Sequence, residues 1–193
     1  MTKEAPPSDS DLAAWAQNGD KRAFEELVHR HKGPLFRFVR RSTGNDDDAY
    51  DVVQDSFVSA WMAIGRFDPT KVFAIWLRAI AMNKCRDYGR RQSVRRRFLR
   101  LIAPRDVEIA AETETLLERE VDRREVARLA QLDRAIAELP AFYKEPLLLT
   151  SVSGLSQQEA ALQLKTTAKA IEMRVRRARK KLTESLGALK REE

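Results

Sequence analysis

Seven cationic side chains fall within thirteen residues near the C-terminal end of the sequence. Between 169 and 181 they are Lys169, Arg174, Arg176, Arg177, Arg179, Lys180 and Lys181, against a single acid, Glu172, for a local charge of +6. Ile171, Val175, Ala178 and Leu182 recur with the spacing of one buried helical stripe, which leaves the cations on the remaining faces. Such a helix can neutralise phosphates, so the pattern predicts nucleic-acid binding.

The residues before this helix supply the element that would position it. Ser156 and Glu159 form a capping-box pattern that predicts a short helix from Gln157. "KTT" (165–167) follows as a tight connection, and Thr167 can cap the basic helix. Together they predict a helix-turn-helix, whose second helix reads the major groove. The alternatives are a charged surface helix and a membrane-surface helix, although the apolar face lacks Trp and Phe.

A second stretch, "DAYDVVQDSFVSAW" (48–61), predicts a protein-docking surface. Its apolar residues form one helical stripe: Ala49, Val52, Val53, Phe57 and Trp61. The other face carries Asp48, Asp51 and Asp55, then Val58 and Met62. Acids give register and association rate to a protein contact, and apolar side chains give buried area. The alternative is that the acids are simply favoured early in a helix.

Composition limits the remaining possibilities. The 193 residues include 36 Lys and Arg against 29 Asp and Glu, for a net charge of +7 and a pI near 9.7, which favours an anionic partner. Aromatic residues are only 7% and Gly and Pro number 7 each, which favours helices over a β-sandwich. Cys85 is the single cysteine, and His29 and His31 are the only histidines, so we expect no disulfide, metal or other cofactor.

We also expect neither an enzyme nor a membrane protein. No phosphate-binding loop, nucleophilic triad or pair of catalytic carboxylates is recognisable. The N-terminus lacks an apolar stretch of signal-peptide length, and the longest apolar runs cannot span a bilayer. We therefore predict a cytoplasmic protein.

The charge pattern along the chain predicts two domains. Residues 86–105 carry eight Arg and one Asp (+7), and residues 106–125 carry eight acids and three Arg (−5). Opposite charge blocks around Pro104 are typical of a linker. We predict an all-α protein made of two small helical domains joined by this charged linker. Gly33-Pro34 should bend or break the helix that holds Phe24, Leu27 and Val28. The predicted limits are a disordered tail 1–10, a first domain 11–92, a linker 93–126 and a second domain 127–189.

Four segments in this order resemble the extracytoplasmic-function sigma factors, which are two-domain subunits of RNA polymerase. "AFEELVHRHKGPLFRFVRR" resembles the opening helix of sigma region 2, and "DVVQDSFVSAWMAIGRFD" resembles its polymerase-binding helix. "FAIWLRAIAMNKCRDYGRR" resembles its promoter-binding helix, and "ELPAFYKEPLLL" with the helix-turn-helix is similar to region 4. The resemblance covers about residues 11–186. It implies a protein that binds core polymerase, recognises the minus-ten and minus-thirty-five promoter elements and promotes initiation under the control of an anti-sigma factor.

The resemblance also implies site residues. Those for the polymerase clamp coiled-coil are Asp51, Gln54, Asp55, Val58 and Met62. Those for the minus-ten pocket are Ala63, Phe67, Arg78, Ile80 and Asn83, with Lys84, Arg86, Arg90 and Arg91 as phosphate contacts. Those for minus-thirty-five bases are Glu172, Met173, Arg176 and Arg177, with Lys169, Arg174, Arg179 and Lys180 also on DNA. Trp76 and Leu77 are expected in the core.

Some expectations concern partners and specificity. "AIEMR" (170–174) departs from the family's usual Thr-Val-Lys/Arg-Ser-Arg. Glu172 could accept a hydrogen bond from a cytosine amino group or repel phosphate, and Met173 could contact a thymine methyl. The region 4 domain is expected to meet the polymerase flap, and the linker resembles a segment that threads the RNA-exit channel. We expect no homo-oligomer. The main alternative is a conventional regulator that binds an operator without polymerase.

Overall fold

The computed structural model describes the backbone of residues 6–102 and 120–189 and the side chains of residues 6–94 and 127–187. Every regular element in these ranges is helical, which confirms the predicted all-α class. The α-helices are α1 (Asp9–Gln17), α2 (Lys21–Thr43), α3 (Asp46–Ala63), α4 (Phe73–Ile102), α5 (Glu120–Glu138), α6 (Ala141–Leu147), α7 (Gln157–Gln163) and α8 (Ala168–Leu189). A 3-10 turn (Ile64–Arg66) follows α3, and a π-helical turn (Leu148–Val152) follows α6.

Side-chain caps explain where the first helices begin. Ser8 and Asp11 form a capping box at α1. The carboxylate of Asp20 accepts hydrogen bonds from the backbone N–H groups of Arg22 and Ala23, and Asn45 accepts one from the N–H of Asp48. Each cap satisfies backbone donors that a helix start leaves free.

Helix α2 continues through Gly33-Pro34, so of the predicted bend or break the break does not occur. It is one helix of 23 residues with Pro34 inside it. An interior proline costs about 3 kcal/mol or more. Leu27 on one side of Pro34, and Leu35 and Phe38 on the other, are buried against the neighbouring helices. Burying each such side chain contributes about 1.5–3 kcal/mol, so packing on both sides outweighs the cost.

The first domain consists of α1–α4 around a common core. Gln17 of α1 donates hydrogen bonds to the carbonyls of Ile64 (3.0 Å) and Phe67 (2.6 Å), which fixes the loop after α3. The loop brings Phe67 against Phe73 and Trp76 at the start of α4, with ring centroids 5.5 and 4.9 Å away. Leu77, as predicted, is buried in the core, and Trp76 is partly buried against it.

The predicted linker limits lie inside helices. Helix α4 has 30 residues and ends at Ile102, ten residues beyond the predicted limit at 92. Its last turns are rich in Arg and Leu, which are good helix formers, and lack Gly and Pro. Helix α5 starts at Glu120, before the predicted limit at 126. The domain limits therefore stay predictions, and most of the acidic stretch 106–125 lies outside the described residues.

The second domain consists of α5–α8. Leu147 at the end of α6, and Leu148 and Leu149 in the π-helical turn, are buried and join the core formed with α7 and α8. The two domains touch, because α2 contacts α5 and the π-helical turn. Within the part of the chain that the structure describes, no helix is long and apolar enough to cross a membrane.

Candidate protein and nucleic-acid interfaces

Helix α3 presents the predicted docking face to solvent. Asp51, Gln54 and Asp55 are exposed, Val58 is 54% exposed and Met62 is 81% exposed. Their spacing places them on one side of the helix, opposite the buried residues. The structure therefore brings all five predicted residues together in one stripe, which we call the α3 face. Among the described side chains, neither Asp51 nor Asp55 forms an ion pair.

The residues assigned to the helix core occupy it. Phe57 is 8% exposed, and Trp61 is partly buried with its ring centroid 5.0 Å from that of Phe24. Tyr50 was missed by the sequence reasoning. It is 63% exposed and lies beside the α3 face with its ring 4.4 Å from Phe36. An exposed aromatic within a predicted docking helix is a signal for a contact residue that the sequence could have given.

The helix-turn-helix forms as predicted. Ser156 and Glu159 make the reciprocal capping box of α7, and the Thr167 hydroxyl accepts a hydrogen bond from the N–H of Ala170 at 3.2 Å. Lys165, in the connection, has a φ of 50°. The hydrogen bonds from Ser156 lower the pKa of Glu159, so this carboxylate stays charged at the start of α7, where the helix dipole favours it.

Helix α8 buries its apolar stripe and exposes most of its charges. Ile171, Val175, Ala178 and Leu182 are buried, as predicted. The exposed predicted contacts are Lys169, Glu172, Arg176, Arg177, Arg179 and Lys180. Met173 and Arg174 are half-buried, and the guanidinium of Arg174 lies 4.0 Å from the Phe142 ring centroid. Arg174 therefore has a packing role in addition to the predicted DNA contact.

The predicted minus-ten residues do not form one open pocket in this structure. Phe67 is only 4% exposed, because it packs against Trp76. Asn83 is exposed on the same side of α4 as Trp76. It lies seven positions further along the helix, which is a distance of about 10 Å. Arg78 and Ile80 between them are half-buried, as is Ala63 at the end of α3.

The four predicted phosphate contacts on α4 have different environments. Arg90 and Arg91 are exposed, and Arg90 pairs with Asp87, which lowers the pKa of that carboxyl. Lys84 is half-buried. Arg86 is half-buried and donates from Nε and Nη2 to the two oxygens of Glu145, at 2.7 Å each. In this arrangement, therefore, only some of the four predicted phosphate contacts are available to DNA.

Comparisons with known proteins now decide the family. The model for Sigma-70 region 2 matches residues 27–95, and that for Sigma-70 region 4 matches residues 129–182. The RNA polymerase sigma factor NccH of Alcaligenes xylosoxydans xylosoxydans is 42% identical over 180 residues, covering 92% of this chain and 94% of that one. The chain belongs to the RNA polymerase sigma factors. Within that family it belongs to the extracytoplasmic-function group, the group that its sequence resembles.

Two further comparisons concern CnrH. The sigma factor CnrH of Cupriavidus metallidurans is 40% identical over 188 residues, covering 94% of this chain and 97% of that one. A solved structure of CnrH in complex with the cytosolic domain of CnrY matches with a TM-score of 0.65 and 36% identity, covering 94% of this chain and 99% of the other.

Family membership settles the main alternative. A sigma factor binds core RNA polymerase and directs it to promoters, so this chain is a transcription-initiation factor and not a conventional operator-binding regulator. Sigma factors are transcription regulators rather than enzymes.

The sigma factor's single cysteine is packed inside the first domain. Cys85 is 6% exposed, and this burial raises the pKa of its thiol to about 11. At neutral pH the thiol is therefore protonated, and a protonated thiol is a poor nucleophile. This environment favours a structural role for Cys85 over a reactive one.

Sequence reasoning missed the charged contacts between the two domains. Asp133 of α5 accepts hydrogen bonds from Arg40 and Arg41 of α2, and Glu145 of α6 accepts from Arg86. The sequence contains no indication of which distant cations they meet.

Proposed function

We propose that this sigma factor docks on core polymerase through the α3 face, captures minus-ten bases with α4 and the loop before it, and reads the minus-thirty-five element with α8. The observation that carries the proposal is the α3 face itself. It is a continuous stripe of exposed acids and exposed apolar side chains on a helix whose opposite side is buried.

The α3 face has the composition of a specific protein contact. Val58 and Met62 at 54% and 81% exposure are costly to leave in water unless a partner covers them. Asp51 and Asp55 stand at the other end, where acids would steer and orient a basic surface. An adjoining aromatic, Tyr50, fits the composition of interface cores.

The test is transcription and binding with purified core polymerase. Asp55→Arg should abolish start sites on sheared genomic DNA and weaken core binding, measured by fluorescence anisotropy, by about 10-fold or more, because like charges facing each other across an interface cost several kcal/mol. Glu25→Arg makes the same charge change at an exposed position on α2 and should leave both unchanged. Equal loss in both variants, or none in Asp55→Arg, contradicts the assignment of this face.

The minus-ten proposal assigns different tasks to the α4 residues. Asn83 is exposed and carries both a donor and an acceptor, which suits a base edge. Arg90 and Arg91 lie further along the same helix, within reach of phosphates. Phe67 would need to leave its contact with Trp76 to stack on a base, so we propose that its task depends on movement of the loop.

The minus-thirty-five proposal rests on the geometry of α8. Its N-terminal half exposes Glu172 and Arg176, while Arg177, Arg179 and Lys180 continue along the helix. Arg176 fits a guanine, and Glu172 fits a cytosine amino group. Glu172→Gln should change the preferred base at one position of mapped promoters. An unchanged base preference with stronger overall binding would mean that Glu172 acts only by repelling phosphate.

We further propose control by an anti-sigma protein. The support is the relative CnrH, at 40% identity, whose solved structure is a complex with the cytosolic domain of CnrY. A purified partner of this kind should compete with core polymerase for the sigma factor. Asp55→Arg should also weaken the direct binding of this partner to the sigma factor, and unchanged binding would place the partner's site outside the α3 face.

A further inference from the structure

One side chain of α1 bridges two carbonyls of the loop that joins α3 to α4 and carries Phe67. Gln17 Nε2 donates hydrogen bonds to the carbonyl of Ile64 at 3.0 Å and to that of Phe67 at 2.6 Å. The backbone N–H of Phe67 also donates to the carbonyl of Ile64, at 3.0 Å. An amide nitrogen carries two protons, so Gln17 can serve both carbonyls at once and close the 3-10 turn between them. The backbone of Phe67 is therefore fixed relative to α1.

The Gln17 contacts are better covered than the contact that Ser10 makes with the same loop. Both hydrogen bonds of Gln17 are part-buried, whereas the bond from Ser10 Oγ to the carbonyl of Pro69, at 2.8 Å, is exposed. An exposed bond is readily exchanged for a bond to water, but a carbonyl that loses its donor at a covered position is left at a cost in free energy. Gln17 is thus the stronger restraint, and the Pro69 end of the loop is held more weakly.

Helix α1 is itself fixed to α2 and, through α2, to the start of α4. The carboxylate of Asp9 lies 2.6 Å from His31 Nε2 and accepts a hydrogen bond from Arg30 Nη1 at 3.2 Å. The His31 ring packs on Phe73 with centroids 5.2 Å apart, and the Phe73 ring lies 5.5 Å from that of Phe67. The helix that anchors the Phe67 backbone and the surface on which the Phe67 ring rests therefore belong to one connected set of contacts.

The turn that follows Phe67 is held by contacts of its own. Asp68 Oδ1 accepts hydrogen bonds from the hydroxyl of Thr70 at 2.7 Å and from its backbone N–H at 3.0 Å, and these bonds lower the pKa of Asp68. The N–H of Lys71 donates to the carbonyl of Asp68 at 3.0 Å. Such local bonds stabilise a turn without tying it to the rest of the fold. Once the exposed Ser10 bond opens, this turn can swing as a unit about the Phe67 carbonyl that Gln17 holds.

We propose that Gln17 is a positioning residue for minus-ten recognition. Its hydrogen bonds keep the Phe67 carbonyl in place while the turn swings, so the Phe67 ring leaves Trp76 and meets the captured base at one defined position. This inference rests on the proposed role of Phe67 in stacking on a minus-ten base. A ring that is held at a fixed position discriminates bases by their size and hydrogen-bonding groups, whereas stacking on a loosely held ring tolerates any base.

The experiment measures base preference with the complete chain and purified core polymerase. The holoenzyme transcribes a barcoded library in which the minus-ten element of a promoter found by start-site mapping is randomised. Gln17→Met has a similar length but no donor, and Gln17→Lys restores a donor. The matched control is Asn18→Met, which removes an amide whose hydrogen bond, at 3.0 Å, goes to the carbonyl of Ala14 in its own helix. Phe67→Leu tests the role of the ring itself.

Gln17→Met should lower the ratio between the best and the worst base about tenfold at one minus-ten position, because a mismatched base costs a protein–DNA complex at least this factor when it is read rigidly. Gln17→Lys should recover most of the ratio, and Asn18→Met should keep it. Core binding, measured by fluorescence anisotropy, should be unchanged in all three variants. Circular dichroism verifies that each variant is folded.

Three results would overturn the inference. The first is a loss of preference at every position together with weaker core binding in Gln17→Met, which would show general damage to the fold. The second is an equal loss in Gln17→Met and Gln17→Lys, which would exclude the donor. The third is a position flattened by Phe67→Leu that Gln17→Met leaves intact. If Phe67→Leu changes no position, the proposed role of Phe67 fails and this inference fails with it.

Discussion

The approach of the two domains can be tested at a single glycine. Gly44 ends α2 in the left-handed region with a φ of 79°, and a Cβ built there would lie 2.6 Å from the Cβ of Ala137 in α5. Gly19 has a similar φ of 91° but nothing within 4 Å of such a Cβ. The Gly19→Ala variant is therefore a matched control for backbone strain without the contact.

The expected magnitudes differ between the two sites. An alanine in the left-handed region destabilises the folded state by about 1–2 kcal/mol. Replacing glycine also restricts the unfolded chain, which stabilises the fold by about 0.4–1 kcal/mol, so Gly19→Ala should lower the free energy of unfolding by about 1 kcal/mol. Gly44→Ala adds an overlap of roughly 1 Å against the usual carbon–carbon separation of about 3.5–4.0 Å. Overpacking of this kind costs about 1–3 kcal/mol, so the total loss should be about 2–4 kcal/mol.

The assay is urea denaturation followed by tryptophan fluorescence. Trp15, Trp61 and Trp76 all lie in the first domain and report its unfolding. Ala137→Gly removes the opposing methyl group at a helix-propensity cost of about 1 kcal/mol. In the double variant with Gly44→Ala it should relieve the steric overlap, so the two substitutions should show a coupling free energy of about 1–3 kcal/mol. Equal losses at Gly44 and Gly19, or no coupling with Ala137→Gly, would show that the domains do not meet here in solution.

Three further predictions concern the second domain and the buried thiol. Ser156→Ala should lower the stability of the helix-turn-helix by about 1 kcal/mol in a thermal melt followed by circular dichroism, and Ser151→Ala, at an exposed serine outside a cap, should change it little. Because the hydrogen bonds from Ser156 lower the pKa of Glu159 from 4.5, the cap should stabilise α7 above that pH and weaken as the pH falls through the lowered value. An NMR titration should find the Glu159 pKa raised in Ser156→Ala, and an unchanged value would contradict the capping box. Iodoacetamide should alkylate Cys85 in the folded protein far more slowly than in urea at pH 8, because the thiol is buried with a pKa of about 11, and equal rates would contradict its burial.

Helix caps and apolar stripes could be predicted from the sequence because each depends on residues that are close together in the chain. The caps at Asp20, Ser156 and Thr167 depend on residues two or three positions away, and the sequence displays them directly. The α3 stripe and the α8 stripe depend only on helical periodicity. A break at Gly33-Pro34 does not occur because the packing that keeps α2 continuous comes from other helices, which the local sequence does not display.

The candidate site was predictable in part for the same reason. Asp55 and Arg176 are exposed because each lies opposite the apolar stripe of its own helix, and helical periodicity alone predicts that position. Burial of Phe67 depends on Trp76 and on the bond from Gln17 to the Phe67 carbonyl, contacts made across the fold. The pairing of Arg86 with Glu145 joins residues 59 positions apart, and a basic run with a distant acid gives no sign of it.

This pairing gives a physical reason for two acids that a DNA-binding protein would otherwise do better without. Asp133 and Glu145 lie in a chain of net charge +7 whose second domain must approach phosphates, and each reduces that attraction. Both carboxylates are instead bonded to cations of the first domain, at 2.7–3.0 Å. In this arrangement of the two domains, therefore, the charge of each carboxylate is neutralised by the arginines that it contacts. If Arg86 contacts phosphate as proposed, the binding of single-stranded DNA should depend more steeply on salt in the double variant Asp133→Asn with Glu145→Gln than in the parent protein, because each arginine that no longer bonds an internal acid can neutralise a phosphate and release counterions.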